Sequence, residues 1–178
     1  MICLAGPVRI CVAYDCLFPW TVGGAERWYR DLAERLAADG HEVTYLTRLQ
    51  WDPAEPPEIP GVRVLAVSRA DELYGADGNR TIGPPLRFGR GVLGHLLRHG
   101  RDYDVVHLCS FPYFSVLAAA AARRRGGYRL VVDWFEVWSP GYWSDYLGGL
   151  RGRIGHAIQR RCARVRQRAL VYSRLHAA

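Results

Sequence analysis

Two adjacent glycines, Gly23 and Gly24, precede Ala25 and a segment with helical spacing, and they follow a short apolar strand. Glycine permits a positive φ angle and lets a ligand approach the backbone closely. A helix that begins here directs N–H groups without helical partners, and the positive end of its dipole, outward, which suits a phosphate group. An ordinary strand-to-helix turn with glycines for tight packing is the alternative. Glu26, in the first turn, is expected to complement the helix dipole.

A second group of polar and aromatic residues lies at the end of a later apolar strand. Asp133 and Glu136 are its acids, and a carboxylate can accept hydrogen bonds from two hydroxyl groups. Open α/β sheets bind ligands at the carboxyl ends of their strands, where both acids fall. Capping or loop support is the alternative for Asp133. The aromatic residues that follow suit a sugar face, a lipid interface or core packing, and they are Trp134, Trp138, Tyr142, Trp143 and Tyr146.

His107 and Cys109 alternate along another apolar strand, so their side chains face the same side of the sheet. His107 is a candidate catalytic residue, although a lone histidine among apolar residues also fits a packed core position. Glu136 is the other candidate, and no residue is assigned as catalytic. The chain contains no lysine, no G-x-S-x-G elbow and no G-x-G-x-x-G after its first strand. P-loop, serine-hydrolase and dinucleotide-binding functions are therefore set aside.

The pattern of cysteines and acids favours no metal site. The chain has five cysteines without a C-x-x-C pair or a histidine at zinc spacing, which indicates a reduced, cytoplasmic compartment. Asp102 and Asp104 form a D-x-D, but this pair precedes a strand, and we interpret it as a solvated strand start. The first residues lack a basic start, and no apolar run reaches the length of a membrane span, so neither export nor insertion is expected.

Strand and helix patterns alternate along the whole chain. Strands are predicted over residues 8–14, 41–47, 62–68, 103–109, 128–134 and 169–173, and helices over 25–36, 86–99, 113–125 and 150–168. The last helix carries an apolar stripe from Leu150 and Ile154 to Cys162 and Val165. The stretch 71–85, rich in glycine and polar residues, is predicted to be a loop. This order predicts a single α/β domain over residues 1–178, with a Rossmann-like, doubly wound, mainly parallel sheet and helices on both faces.

Three stretches carry a resemblance to a known family. They are Gly23-Gly24-Ala25-Glu26 with the helix that ends in Asp39-Gly40-His41-Glu42-Val43, then Tyr103-Asp104-Val105-Val106-His107, and last Val131-Val132-Asp133-Trp134-Phe135-Glu136-Val137-Trp138. Together they span nearly the whole chain. The sequence resembles the N-terminal, acceptor-side domain of the family 4 retaining glycosyltransferases, which have the two-domain GT-B fold.

The resemblance implies a hexosyltransferase-like enzyme that moves a sugar from a nucleotide-diphosphate donor to a hydroxyl of a sugar or lipid-linked acceptor, without a cofactor or metal. It implies that Gly23, Gly24 and Ala25 meet the donor diphosphate. A second Rossmann-like domain would hold most of the donor nucleotide, and we expect that domain to lie outside residues 1–178. The chain by itself is therefore expected to transfer no sugar.

The resemblance also places the acceptor beside Asp133, Glu136, Trp138 and Cys109. Relatives commonly carry histidine at the positions of Cys109 and Phe135. Neither residue present here can supply imidazole chemistry, so no catalytic histidine is transferred to either position. A non-catalytic α/β binding module is the alternative function that these replacements favour.

Charge is concentrated at one end of the chain. Residues 1–145 carry a net charge of −1, and the rest carry +8, because no acid follows Asp145. The helix between Arg151 and Arg168 could contact anionic lipid peripherally at the inner membrane face, dock on a partner protein, or present a solvated face. Nucleic acid is not expected, since aromatic residues are not interleaved with these arginines.

Overall fold

A computed structural model describes residues 6–72 and 81–172, and its centre is one sheet of six parallel strands. The strands are β1 (Arg9–Ala13), β2 (Glu42–Arg48), β3 (Val62–Ser68), β4 (Val105–Cys109), β5 (Arg129–Trp134) and β6 (Arg168–Val171). Their order in the sheet is β3-β2-β1-β4-β5-β6. The predicted doubly wound Rossmann-like sheet is confirmed.

Five α-helices accompany the sheet in the described ranges. They are α1 (Gly24–Ala38), α2 (Gly83–His99), α3 (Tyr113–Gly126), α4 (Pro140–Leu147) and α5 (Gly149–Ala163). Because the side chains of successive strand residues point to opposite faces of the sheet, β1 contributes side chains to two separate hydrophobic cores. Val12 packs with Tyr29 and Ala33 of α1 on one face. Ala13 belongs to the core on the other face, which is built with residues of α2, α3 and α5.

Two predicted helix boundaries differ from the structure by more than two residues, and one of them is the end of α5, which lies at Ala163 and not at residue 168, where β6 begins. Helix α2 begins at Gly83, inside the predicted loop 71–85, since prolines at positions 84 and 85 fit the first turn of a helix. Residues 73–80 of that predicted loop lie outside the described residues, as does Ser173 at the end of the last predicted strand.

Helix α4 was not predicted, because its residues were interpreted as an aromatic connecting loop. Ser139 caps it, with the backbone N–H of Tyr142 donating to the Ser139 hydroxyl oxygen at 3.2 Å, and Pro140 occupies the first helical position. Among the aromatic residues of α4, only Trp143 is buried in the core, while Tyr142 and Tyr146 are exposed. One face of this short helix therefore packs and the other meets solvent.

The apolar stripe predicted for the last helix coincides only partly with its buried face, because Cys162 is buried and Val165 packs against the core. Helix α5 buries Gly152, Gly155, Gln159 and Cys162, whereas Leu150 and Ile154 are exposed. The two glycines allow α5 to approach α4 closely, since a Cβ at Gly155 would lie 2.5 Å from the ring of Trp143. Small residues, and not the large apolar ones, thus form the contact between the two helices.

Candidate functional site

The sheet order places a crevice between β1 and β4. The chain winds outward from β1 to β3 and then returns to the other side of β1, so β1 and β4 flank the point where the winding reverses. Ligands of open α/β sheets bind at the carboxyl ends of strands at such a point. The start of α1 and the ends of β1, β4 and β5 meet at this edge. These are the segments in which the sequence placed its candidate residues.

Gly23 and Gly24 are accessible at this edge. Gly23 is the N-cap of α1 with φ −169° and ψ 179°, an extended conformation open to any residue, and Gly24 is exposed. Neither Gly23 nor Gly24 has a positive φ angle, so the turn does not depend on the left-handed conformations that glycine allows. The space around Gly24 is open, since a Cβ at this position would meet no heavy atom within 4 Å. A ligand can therefore approach the backbone here. The N–H groups of the first turn, which include those of Gly24 and Ala25, have no carbonyl partner within the helix.

Glu26 covers one side of the turn. A Cβ built on Gly23 would collide with the carboxylate of Glu26, which lies beside the N-cap. A negative charge in the first turn stabilises a helix, as the sequence led us to expect. The same carboxylate would compete with any anion that approaches these N–H groups.

Gln50 holds the loop that leads to the glycine pair, and the sequence analysis did not identify it. Its Oε1 accepts hydrogen bonds from the backbone N–H of Leu17 at 3.1 Å and from the hydroxyl of Thr21 at 2.6 Å. On the helix side, Arg30 donates to the carbonyl oxygen of Phe18 at 3.0 Å. The loop is therefore tied to both β2 and α1, and no sequence motif marks Gln50 for this role.

Asp133 is a buried anion surrounded by three donors. Its Oδ2 accepts from the hydroxyl of Tyr29 at 2.7 Å and from Nε2 of His107 at 2.9 Å, and its Oδ1 accepts from the hydroxyl of Tyr172 at 3.1 Å. The side chain has no solvent exposure. Burial alone would raise the pKa of Asp133, but the hydrogen bonds and the charge of His107 outweigh it and lower the pKa below its ordinary value. Because a carboxylate only accepts, Nε2 of His107 carries a proton.

This network connects four elements below the crevice. Asp133 belongs to β5, His107 to β4, Tyr29 to α1, and Tyr172 follows β6. His107 is buried and lies on the α1 side of the sheet, as does Cys109, in agreement with the predicted alternation. Both carboxylate oxygens of Asp133 are engaged by protein groups. The acceptor role of Asp133 and the catalytic role of His107 stay predictions.

Cys109 lies at the end of β4 and is buried beside Tyr29. Burial raises the pKa of its thiol to about 12, so the sulfur is protonated at neutral pH. A protonated thiol is a poor nucleophile. Cys109 can shape the crevice, and its predicted contact with an acceptor stays a prediction.

Glu136 is exposed and Trp138 is half-buried, and the two form a pair just beyond β5. The indole N–H of Trp138 donates to Oε2 of Glu136 at 2.8 Å. The ring of Trp138 lies 4.7 Å from that of Tyr142 and 5.3 Å from that of Tyr146, centroid to centroid. The arrangement places a carboxylate beside a surface of aromatic rings, which is suited to hydroxyl groups and the apolar face of a sugar.

Gln159 fixes this pair from below, and the sequence analysis missed it as well. Its Oε1 accepts from the backbone N–H of Trp138 at 3.1 Å and from the indole of Trp143 at 3.1 Å, while its amide donates to the carbonyl oxygen of Trp138 at 2.9 Å. Gln159 is buried, so these bonds satisfy its polar atoms. A lone glutamine on an arginine-rich helix gives no signal of this role in the sequence.

The D-x-D acids lie at the opposite edge of the sheet. Asp104 pairs with Arg9 at 2.9 Å, and Asp102 contacts His99 at 3.3 Å, next to the amino ends of β1 and β4. The interpretation of this pair as a strand start is confirmed. Within residues 6–72 and 81–172, no three His, Cys, Asp or Glu side chains are grouped so that they could hold a metal ion. None of the described helices combines the length and the apolar character needed to cross a bilayer.

A six-stranded parallel sheet of this order, with its crevice at the carboxyl ends of the strands, defines a Rossmann-like α/β domain consistent with one half of a GT-B enzyme. The chain belongs to the glycosyl transferase 4-like domain family, whose model matches residues 23–178. The match begins at the first glycine of the pair, and it confirms the resemblance drawn from the sequence. The search among curated proteins finds no match.

Proposed function

We propose that the chain is the acceptor-side half of a retaining glycosyltransferase that moves a hexose from a nucleotide-diphosphate donor to a hydroxyl of a sugar or lipid-linked acceptor. A second α/β half, from outside residues 1–178, would hold the donor nucleotide. Membership of the glycosyl transferase 4-like family supports the reaction class. The observation that carries the site is the open start of α1 at Gly24, beside the point where the sheet reverses.

The donor diphosphate is assigned to the N–H groups at Gly23, Gly24 and Ala25. In the transfer step a bond to the acceptor oxygen forms, the bond between the sugar carbon and the diphosphate oxygen breaks, and the acceptor hydroxyl then passes its proton to the departing diphosphate. Negative charge therefore grows on the departing diphosphate. Oriented N–H groups stabilise such charge without reorganisation during the reaction, and the positive helix end adds to this effect. No metal is required by this assignment.

The acceptor is assigned to Glu136 and Trp138. Trp138 engages Oε2 of Glu136, so the proposal gives Oε1 to an acceptor hydroxyl. Asp133 and Cys109, buried below the same edge, shape the floor of the acceptor site. His107 acts there as a positioning residue through its bond to Asp133.

Two substitutions at the start of α1 are expected to change the binding of inorganic pyrophosphate in opposite directions. Gly24→Asp places a carboxylate over the N–H groups and should weaken binding about tenfold while preserving the helix, because an acid in the first turn is stabilising. Glu26→Gln removes the competing carboxylate and should strengthen binding about two- to fivefold. Amide chemical shifts followed through a pyrophosphate titration measure both effects.

Gly149→Asp is the matched control for Gly24→Asp. It places the same charge at the start of α5, where a Cβ also meets nothing within 4 Å. Pyrophosphate binding should be unchanged in this variant. Equal weakening by both aspartates would show general repulsion of anions, and the assignment of the diphosphate to Gly24 would be wrong.

Incubation of the 178-residue chain with nucleotide-diphosphate hexoses and sugar or lipid-linked acceptors is expected to give no glycosylated product. The physical reason is that the N–H groups line only one side of the crevice and leave the rest of the donor in water. In water, electrostatic stabilisation of the negative charge on the departing diphosphate is weak. Product analysis by mass spectrometry checks this. Sustained turnover would contradict the need for a second half while leaving the family assignment intact.

A further inference from the structure

Helix α5 turns its large aliphatic side chains to solvent. Leu150 is 72% exposed and Ile154 is 53% exposed, and they lie one turn apart on the same side of the helix. The opposite side holds the buried residues, among them Gly152 and Gln159. Solvent-facing leucine and isoleucine on a helix whose inner face is already packed have no role in the core of the described chain.

Arginines surround these two side chains. Arg151, Arg153, Arg160 and Arg161 are all exposed on α5. No acid follows Asp145, so residues 146–178 carry a net charge of +8. An exposed apolar pair with cations on both sides is the composition of a helix that lies in the interface of a bilayer.

The neighbouring helix adds aromatic rings. Tyr142 is 52% exposed, and its ring stacks on that of Tyr146, one turn further along α4. Gly148 alone separates α4 from α5, and Gln159 and Trp143 hold the two helices together. Tyrosine is favoured at membrane interfaces, where its ring is apolar and its hydroxyl stays hydrated.

We propose that the outer surface of the α4–α5 hairpin, formed by Tyr142, Tyr146, Leu150, Ile154 and the four arginines of α5, docks on an anionic lipid bilayer. The partner is identified by its chemistry. Anionic headgroups complement the arginines, and the interfacial hydrocarbon accepts the aliphatic and aromatic side chains. A nucleic acid would satisfy the arginines but would leave Leu150 and Ile154 in water.

Docking in this way would bring the crevice to the membrane surface. Trp138 packs against Tyr142 and Tyr146 of the hairpin, and it also binds Glu136 at the crevice edge. The hairpin and the crevice edge therefore form one connected unit, with Gln159 bonded to both sides. The surface is defined by its own contacts and does not depend on the proposed transfer reaction.

Flotation of the chain with vesicles tests the proposal. Binding is expected to vesicles of phosphatidylcholine mixed with phosphatidylglycerol, to weaken as salt is raised, and to be far weaker to phosphatidylcholine alone. Arg153→Gln with Arg161→Gln should reduce affinity about 30-fold, since each arginine near an anionic surface contributes about fivefold. Leu150→Asn with Ile154→Asn should reduce it about tenfold or more, because both side chains lose their apolar contact.

Matched double variants separate this surface from general charge and hydrophobicity. Arg98→Gln with Arg124→Gln removes the same charge from α2 and α3, and Ile82→Asn with Leu97→Asn removes exposed apolar side chains from α2 and the residue that precedes it. Both should bind vesicles as the unchanged chain does. Circular dichroism confirms that each variant is folded.

Three results would overturn the proposal. The first is no flotation with anionic vesicles at low salt. The second is equal losses in the test and control variants, which would mean that net charge or overall hydrophobicity governs binding. The third is a homodimer that Leu150→Asn with Ile154→Asn converts to a monomer in size-exclusion chromatography, since a second copy would then cover the surface.

Discussion

Asp133→Asn is expected to lower the free energy of unfolding by about 3 kcal/mol at neutral pH. The substitution removes the charge that two buried donors and the hydroxyl of the half-exposed Tyr172 share, and it presents an amide N–H₂ group to some of them. Tyr29, His107 and Tyr172 are then left without a full acceptor, and an unsatisfied buried donor is costly. For a chain of this length, thermal denaturation should show a melting temperature about 6–12 °C lower.

The dependence on pH distinguishes this cause from simple loss of packing. The pKa of Asp133 is lowered in the folded state from its ordinary value of 3.8, so its ionisation stabilises the fold above that value and ceases to do so as pH falls through the folded pKa. The difference in unfolding free energy between the unchanged chain and Asp133→Asn should therefore be full near neutrality and shrink below pH 3.8. A difference that stays constant on acidification would contradict the role of the buried charge.

Tyr172→Phe provides a graded control in the same network. It removes the hydroxyl that donates to Oδ1 and leaves the two bonds of Oδ2 in place. Tyr172 is 48% exposed, so loss of its hydrogen bond should cost about 1 kcal/mol, less than the loss of the carboxylate itself. Equal unfolding free energies for Asp133→Asn and the unchanged chain would show that the network does not stabilise the fold.

The fold was predictable because the central parallel strands, β1, β4 and β5, are buried on both faces. Such strands appear as short apolar runs, of which Val105–Cys109 is an example, and all six were located within a few residues. Helix α4 was missed for a related reason. Its eight residues include four large apolar or aromatic side chains on more than one side, so no single apolar face marks the helix. The sequence signal that could have indicated this helix was Ser139 followed by Pro140, which is typical of a helix N-terminus.

The site was predictable only where local sequence determines it. The glycine pair, Asp133 near the end of β5 and Glu136 beyond it follow from their positions along the predicted strands. The partners of Asp133 do not, because Tyr29 is 104 residues away in sequence and Tyr172 is 39 residues away. Contacts over such separations exist only once the sheet order is fixed. Gln50 and Gln159 were missed for the same reason, since both act on backbone groups of distant loops.

The buried face of α5 was predicted wrongly in the first half of the helix because hydrophobic periodicity cannot detect a glycine interface. Leu150 and Ile154 dominate any apolar average along the helix, yet the packed side is built from Gly152 and Gly155. Glycine at a helix contact allows backbones to approach where a larger side chain would separate them. The position of α5 therefore depends on the smallest residues in it, and this leads to the second large effect.

Gly152→Ala is expected to destabilise the chain by about 3 kcal/mol, although alanine is a far better helix former than glycine. The added Cβ would collide with the carbonyl oxygen of Trp143 and lie 2.6 Å from Cα of Ser144, and backbone atoms cannot move aside as a flexible side chain can. The helices must then separate, which loosens the bonds from Gln159 to Trp138 and Trp143. Urea denaturation measures the loss, and tryptophan fluorescence reports the altered surroundings of Trp143.

Gly149→Ala, three residues earlier on the same helix, distinguishes collision from helix propensity. A Cβ at Gly149 meets no atom within 4 Å, so this variant should be unchanged or more stable by up to about 1 kcal/mol. If Gly152→Ala were as stable as Gly149→Ala, the close contact between α4 and α5 would be absent in solution. The hairpin would then lack a fixed geometry, and Glu136 and Trp138 would not be held at the crevice by Gln159.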